Sequence, residues 1–274
     1  MKKIILLVFL AILFILGCQP AKQEKSGFYI ELIDGAGFIS YGKTLLEGEP
    51  FRIGLKLINY DEEEKRGNIC VYDNMNDYYG GIQKECKQFY VAASSKTEKG
   101  EIPAITKIYF PSQGYYSYVN LPTDFSPEIY IETEYMQQST FSSTLSYPIP
   151  ETETFSFSDK FISLSIEKSV HLSESGYEIF LRINLRKKGN ISVEANNQKG
   201  KILFSLEAIP LVFNCQTQKQ QFSKATMLDI EKENFISCST LTSSKEQEAL
   251  PLVVMLQYKA KEVKKIKINV KKRG

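Results

Sequence analysis

Apolar and polar residues alternate along several short stretches of the chain. In residues 51–57 every second residue is apolar, and residues 162–166 and 266–271 repeat that pattern. Successive side chains of a β-strand point to opposite faces, so this period is typical of a strand with one buried face. Turn-rich segments separate these stretches along the whole chain. The pattern predicts an all-β protein built as β-sandwiches.

Residues 148–157 are the best candidate for a domain boundary. They begin Pro-Ile-Pro and continue with mostly polar residues, a composition typical of a stiff, extended connector. We therefore predict two tandem β-sandwich domains, at residues 27–147 and 158–274, joined by a linker at 148–157. The chain has 17 Phe and 16 Tyr but no Trp. This composition favours strands and argues against an antibody-type core, in which a tryptophan packs against the disulfide.

The N-terminus has the pattern of an export signal. Lys2 and Lys3 precede an unbroken apolar run over residues 4–16, which is followed by Gly17 and Cys18. A basic start, an apolar core and a small residue before the cut are typical of secretory signals, and the end of this run resembles a lipobox. We predict a signal peptide at residues 1–17, a lipid on Cys18, and a flexible lipid-anchored tether over residues 18–26.

This signal predicts a protein that is exported and held on the outer face of the cytoplasmic membrane by the lipid on Cys18. Two alternatives stay open, namely a secreted protein without lipid and an uncleaved anchor. The apolar run is shorter than the roughly 20 residues that a spanning helix needs, which favours cleavage.

Charge limits the classes of partner. Without the signal, which holds two lysines and no acids, the chain has 32 basic and 32 acidic residues. A formally neutral chain has no broad field to attract nucleic acid, so we predict no nucleic-acid partner. The one local exception is the lysine-rich C-terminal segment, residues 259–273.

Four cysteines remain beside Cys18, and four cysteines permit three pairings. We favour two disulfides, Cys70–Cys86 and Cys215–Cys238, because each pair is close in sequence and lies within one predicted domain. The alternative is free thiols or a metal site. Zinc sites usually have closely spaced cysteines or several histidines, and His171 is the only histidine here. We therefore predict no metal and no cofactor.

Several segments resemble tandem immunoglobulin-like surface lipoproteins of small-genome archaea. The segment Glu-Gly-Glu-Pro-Phe at residues 47–51 leads into an alternating strand, as in immunoglobulin-like adhesion modules. The first-domain pattern covers residues 69–72, 79–82, 85–89 and 131–135, and the second-domain pattern covers Cys215, Cys238 and residues 251–258. The resemblance implies two immunoglobulin-like β-sandwich domains and a surface location. The function of that family is not established, so the resemblance implies no catalytic residues.

Tyrosine clusters are the best binding candidates. Tyr78 and Tyr79 lie in the loop that Cys70–Cys86 would close, and Tyr115 and Tyr116 follow Gly114. Exposed tyrosine offers a rigid aromatic surface with one polar end, which suits protein or glycan recognition. The alternative is that these tyrosines, and Tyr118 in particular, pack in the core.

Asn190 begins an Asn-Ile-Ser sequon and is a candidate for N-glycosylation.

Known catalytic motifs are missing from the sequence. It has no glycine-rich phosphate loop and no G-x-S-x-G motif. We interpret His171 as a surface histidine in a loop between two strands. Asp73, Asp77 and Glu85 lie in or beside the loop that Cys70–Cys86 would close. Asn74, Asn76, Asp77 and backbone carbonyls there could supply oxygen ligands for calcium, but the spacing does not match an EF-hand.

These observations predict a non-enzymatic cell-surface lipoprotein, a binding or adhesive scaffold module for a surface protein or glycan. The alternatives are an assembly factor for an envelope or secretion complex, which would bind exported proteins through strand edges, and an exported hydrolase of unfamiliar type.

Overall fold

The computed structural model describes residues 27–98, 100–149, 151–189, 191–232, 235–243 and 248–274, and the fold is all-β. Among these residues the one helical turn is a 3-10 helix at Asp77–Tyr79. No helix in the described part of the chain is both long and apolar enough to span a bilayer. The strands are β1 (Phe28–Leu32), β2 (Thr44–Leu46), β3 (Ile53–Asn59), β4 (Lys65–Asp73), β5 (Glu85–Val91), β6 (Ser95–Thr97), β7 (Gly100–Ile102), β8 (Ala104–Phe110), β9 (Glu128–Tyr147), β10 (Thr152–Ser158), β11 (Ile162–Ser173), β12 (Gly176–Lys187), β13 (Ser192–Ala195), β14 (Gln198–Lys199), β15 (Lys201–Glu207), β16 (Asn214–Gln216), β17 (Gln221–Phe222), β18 (Ala225–Asp229), β19 (Phe235–Thr242), β20 (Glu248–Lys267) and β21 (Asn269–Lys271).

Two long strands, β9 and β20, form the centre of the molecule. Each has 20 residues, and they pair antiparallel over their whole length, from Glu128 opposite Lys267 to Tyr147 opposite Glu248. The eight-stranded sheet around them has the order β14-β13-β20-β9-β4-β5, with β15 on β20 and β18 on β15. Along β9 the inward residues alternate with polar outward residues, as a strand with one buried face requires.

Two further sheets cover the inner face of the long strands. The three-stranded sheet β1-β3-β8 lies over the part of β9 near its N-terminus, where the rings of Phe28 and Tyr135 are 4.8 Å apart. The six-stranded sheet β10-β11-β12-β19-β16-β17 lies over the other part, where Phe157 stacks on Phe141 at 5.4 Å. We call the two resulting layered halves the first lobe and the second lobe.

The strand pairing joins the two halves of the chain. Residues 129–135 of β9 pair with β4 of the first lobe, and among the described residues the rest of β9 pairs with β20 alone. The C-terminal strand β21 returns to the first lobe, where Val270 lies opposite Leu45 in a parallel pair. Of the segment predicted as a linker, residues 152–157 belong to β10, because Phe155 and Phe157 face the second lobe's interior. The domain boundary itself stays a prediction.

A polar cluster ties the lobes together at their junction. The Asp159 carboxylate accepts hydrogen bonds from Ser139 Oγ (2.5 Å) and Tyr258 Oη (2.9 Å). Lys160 Nζ contacts Glu262 Oε2 at 2.6 Å and donates to the Phe28 carbonyl at 3.1 Å. These contacts connect β1, β9 and β20, so the lobes share a hydrogen-bonded junction as well as the central strands.

Both predicted disulfides are confirmed. Cys70 bonds to Cys86 with an S–S distance of 2.07 Å, and Cys215 bonds to Cys238 at 2.08 Å. In each pair the two cysteines lie directly opposite each other on neighbouring strands, β4 with β5 and β16 with β19. Each bridge therefore cross-links two neighbouring strands of one sheet, and Cys70–Cys86 lies at the base of the segment that connects β4 and β5.

Candidate functional site

The two tyrosine loops meet at one end of the first lobe. Gly81 N donates to the Ser117 carbonyl at 2.8 Å, and Val119 N donates to the Tyr79 carbonyl at 2.9 Å. Asn120 Nδ2 adds a bond of 3.2 Å to the Tyr78 carbonyl. The fold thus brings together two clusters that are far apart in sequence. We call Tyr78, Tyr79, Tyr115 and Tyr116 the tyrosine surface.

The four side chains of the tyrosine surface differ in exposure. Tyr78 is 67% exposed and Tyr115 is 66% exposed. Tyr79 is half-buried against the core, and Tyr116 is half-buried with its hydroxyl donating to Glu85 at 2.7 Å. The alternative of a core position holds for Tyr118, which is 1% exposed. Tyr78 and Tyr115 are therefore the residues that a partner can reach.

Local hydrogen bonds fix the shape of the loop that carries Tyr78. Asn76 begins the 3-10 helix, and its Oδ1 accepts from Tyr78 N at 2.9 Å, a standard cap for an unpaired helical N–H. The Asp73 carboxylate accepts from Ile82 N at 2.8 Å and from Tyr118 Oη at 2.9 Å. Gly81 has a φ of +87°, and a Cβ there would collide with Asp73 and the Tyr118 ring. A side chain at position 81 would thus force the two loops apart.

The pKa values of two carboxylates beneath the tyrosine surface are shifted in opposite directions. Burial raises the pKa of Asp73 above its ordinary value, despite the hydrogen bonds that it accepts. Burial alone would raise the pKa of Glu85 as well. Hydrogen bonds from Tyr116 and Ser112 outweigh this effect and hold the pKa below its ordinary value. Burial and the neighbouring carboxylate raise the pKa of Tyr116. Its phenol therefore stays protonated and acts as a hydrogen-bond donor.

Most of the residues considered for calcium already have partners within the protein. Asp73 accepts the bonds described above, and Asn74 Oδ1 accepts from Glu128 N at 3.0 Å. Glu85 accepts from Ser112 and Tyr116. Within the described ranges no group of three or more His, Cys, Asp or Glu side chains is placed to hold a metal ion.

A second surface, which the sequence analysis did not find, lies on the outer face of the six-stranded sheet. There β11, β12, β16, β17 and β19 line an open groove of about 780 Å³. We call it the serine groove, after Ser169, Ser223, Ser237 and Ser239 in its lining.

His171 also lines the serine groove and is exposed on β11. The histidine is at the surface as predicted, but it lies in a strand rather than in a loop, because β11 and β12 continue to a tight turn at residues 174–175.

The lysine-rich segment is matched by glutamates. Lys259 pairs with Glu134 at 3.1 Å, and Lys261 pairs with Glu132 at 3.0 Å, across the ladder of β20 and β9. Much of this positive charge is thus neutralised by β9. Cys18 and Asn190, the predicted lipidation and glycosylation sites, lie outside the described residues.

No protein-family model matches the chain, and a search of curated proteins gives no match either.

Proposed function

We propose that the chain is an exported, lipid-anchored, non-enzymatic binding protein of the cell surface, with two immunoglobulin-like β-sandwich lobes. In this proposal the lipid on Cys18 holds the protein at the membrane. The tyrosine surface recognises a surface protein or glycan. The two disulfides support export, because such bonds persist in oxidising compartments.

The observation that carries this proposal is the joint position of Tyr78 and Tyr115. Both rings are about two-thirds exposed, on loops held together by backbone hydrogen bonds. Large exposed aromatic side chains on a fixed backbone lose little conformational entropy on binding. Tyrosine is also among the residues that most often dominate binding energy at interfaces. A preorganised pair of exposed tyrosines is therefore suited to recognition.

The test measures how well the full-length protein in detergent captures cell-surface components, and it compares the wild type with variants. The double variant Tyr78→Ala/Tyr115→Ala should weaken binding of the captured partner at least about 10-fold, the scale of a binding hot spot. Its melting temperature should stay nearly unchanged, because both rings are exposed. Tyr79 is left intact, since it packs against the core.

The matched control is Tyr41→Ala/Tyr90→Ala, which removes two exposed tyrosines outside the tyrosine surface. This control should bind like the wild type. Equal capture by wild type and by Tyr78→Ala/Tyr115→Ala would refute the proposal. A sharp fall in the melting temperature of that variant would instead assign its tyrosines a structural role.

A second candidate function, assembly of exported proteins, is favoured by the free edge of β9. In the part of the chain that the structure describes, this strand pairs only with β20 beyond residue 135, and residues 135–149 contain no charged side chain. Proteins usually protect such edges with lysine, proline or bulges. An unprotected edge could receive an extended strand from another exported protein by β-strand addition.

A further inference from the structure

Cross-strand register places the side chains of the serine groove in two rows. In one row Arg182 lies between Glu167 of β11 and Ser237 of β19, and Gln216 and Gln221 continue it. In the next row Phe180 lies between Ser169 and Ser239, and Asn214 continues that row. The first row crosses five adjacent strands and the second crosses four, so strand pairing alone sets the spacing of these groups.

The polar groups of the groove are not used by the protein itself. Within the described ranges, the side chains of Ser169, Arg182, Asn214, Gln216, Gln221, Ser223, Ser237 and Ser239 make no hydrogen bond or ion pair. The outer face of the eight-stranded sheet is different, because its lysines pair with glutamates. The groove therefore presents an array of unpaired groups that are fixed on a rigid sheet.

The chemistry of the array indicates its ligand. Serine hydroxyls and the side-chain amides of Asn and Gln each both donate and accept hydrogen bonds, as sugar hydroxyls do. Phe180 also lines the groove, and the negative face of an aromatic ring attracts the C–H groups of a sugar. The guanidinium of Arg182 offers several N–H donors, and the carboxylate of Glu167 on the neighbouring strand offers acceptors. We propose that the serine groove binds a neutral oligosaccharide.

Other ligand classes fit this lining less well. The one guanidinium of the groove has a carboxylate directly opposite it on the next strand, which leaves little net charge to attract an anion. An apolar segment would bury the serines and amides without partners, at a cost of about 1–3 kcal/mol for each unsatisfied group. A ligand rich in hydroxyl groups satisfies these side chains and needs no net charge.

The groove continues along the sheet, which favours a linear chain over a single sugar. A neighbouring groove of about 600 Å³ shares Arg182 and includes Ser156, Ser165 and Asn184, with Arg186 in its lining. The Oδ1 atom of Asn184 is buried and has no hydrogen-bond partner among the described residues. From Ser163 to Ser169 the face extends for about 20 Å at the usual rise of a strand. Several sugar rings fit along that length.

The experiment measures binding of neutral oligosaccharides to the full-length protein in detergent by calorimetry. The probes are maltohexaose, cellohexaose, xylohexaose and mannohexaose. At least one should bind, and Ser237→Trp, which fills the groove, should weaken that binding at least about 10-fold. Ser95→Trp is the matched control, because it adds the same bulk at an exposed position of β6, outside both grooves. It should bind like the wild type.

A second pair of variants covers the case in which Ser237→Trp does not fold. Arg182→Ala removes the central donor of the groove, whereas Arg66→Ala removes an exposed arginine of the first lobe. Only Arg182→Ala should weaken binding, by about 10-fold. The tyrosine double variant should bind oligosaccharide normally, which separates this proposal from the proposed function.

Salt distinguishes a neutral from an acidic ligand site. Binding of a neutral chain should be unchanged between about 50 mM and about 500 mM NaCl, because screening acts on charge pairs. The proposal is overturned if none of the four probes binds. It is also overturned if Ser237→Trp and Arg182→Ala bind like the wild type, or if affinity falls more than 10-fold with salt.

Discussion

At the residue scale, Glu85 links the two tyrosine loops through its carboxylate. One oxygen accepts from Tyr116, and the other accepts from Ser112 N and Oγ. Its pKa is lowered from 4.5, so the ionised form stabilises the fold. That contribution is complete above pH 4.5 and is lost as the pH falls through the folded-state pKa. Asp73, whose pKa is raised from 3.8, contributes with the opposite sign.

We predict that Glu85→Gln lowers the free energy of unfolding at pH 7 by about 1 kcal/mol, a modest value because the side chain is partly exposed. The difference from wild type should shrink between pH 5 and pH 3, as the wild-type carboxylate takes up its proton. Urea unfolding at several pH values measures it. Glu174→Gln, a loss of the same charge in an exposed turn, is the control. A difference that stays constant across this pH range would contradict the assignment.

The roles of some residues could be predicted from the sequence, whereas those of others could not, for a physical reason. The two disulfides followed from sequence distance and were confirmed. The serines of the two neighbouring grooves also alternate with apolar residues, as in Ser163 and Ser165 of β11 and Ser237 and Ser239 of β19. That alternation could have identified an outward serine face on each strand. Which strands are neighbours depends on long-range pairing, so the sequence could not show that these serines share one groove.

At the element scale, the length of β9 is the main difference from the sequence analysis. The segment that the sequence analysis identified here, residues 131–135, stops well before Tyr147, where β9 ends. In the second part of β9, inward positions such as Ser139 and Ser143 are as polar as the outward Thr140 and Ser142. The apolar period is therefore weak there. Pairing with β20 supplies the strand's stability instead.

If the free edge of β9 pairs with a strand of another protein, a charged side chain at the centre of that edge should prevent the pairing. We predict that Ser142→Lys reduces recovery of a co-purifying envelope protein at least 10-fold, because lysine on an edge discourages strand addition. Gln257→Lys is the matched control, since it adds the same charge on β20, which is an interior strand. Recovery from detergent extracts is quantified by mass spectrometry. Equal recovery with Ser142→Lys would exclude the edge as the binding site.

At the scale of the whole molecule, the lobes are connected more closely than tandem domains with a simple linker. β9 and β20 run through both lobes, and β21 brings the C-terminus back to β2. The all-β class followed from local alternation alone. These connections could not be predicted, because they join segments more than 100 residues apart and leave no local pattern. The arrangement places the tyrosine surface in the first lobe and the serine groove in the second.

Both surfaces serve a surface-binding role only if the protein is held outside the cell by Cys18. The most direct test is fractionation of cells that produce either the wild type or Cys18→Ser, combined with protease treatment of intact cells. We predict that the wild type is found in the membrane fraction and is cleaved by external protease. Cys18→Ser should move to the medium or stay unprocessed, because in the proposed function the lipid supplies the anchor. Normal processing with unchanged membrane fractionation of Cys18→Ser would contradict the account.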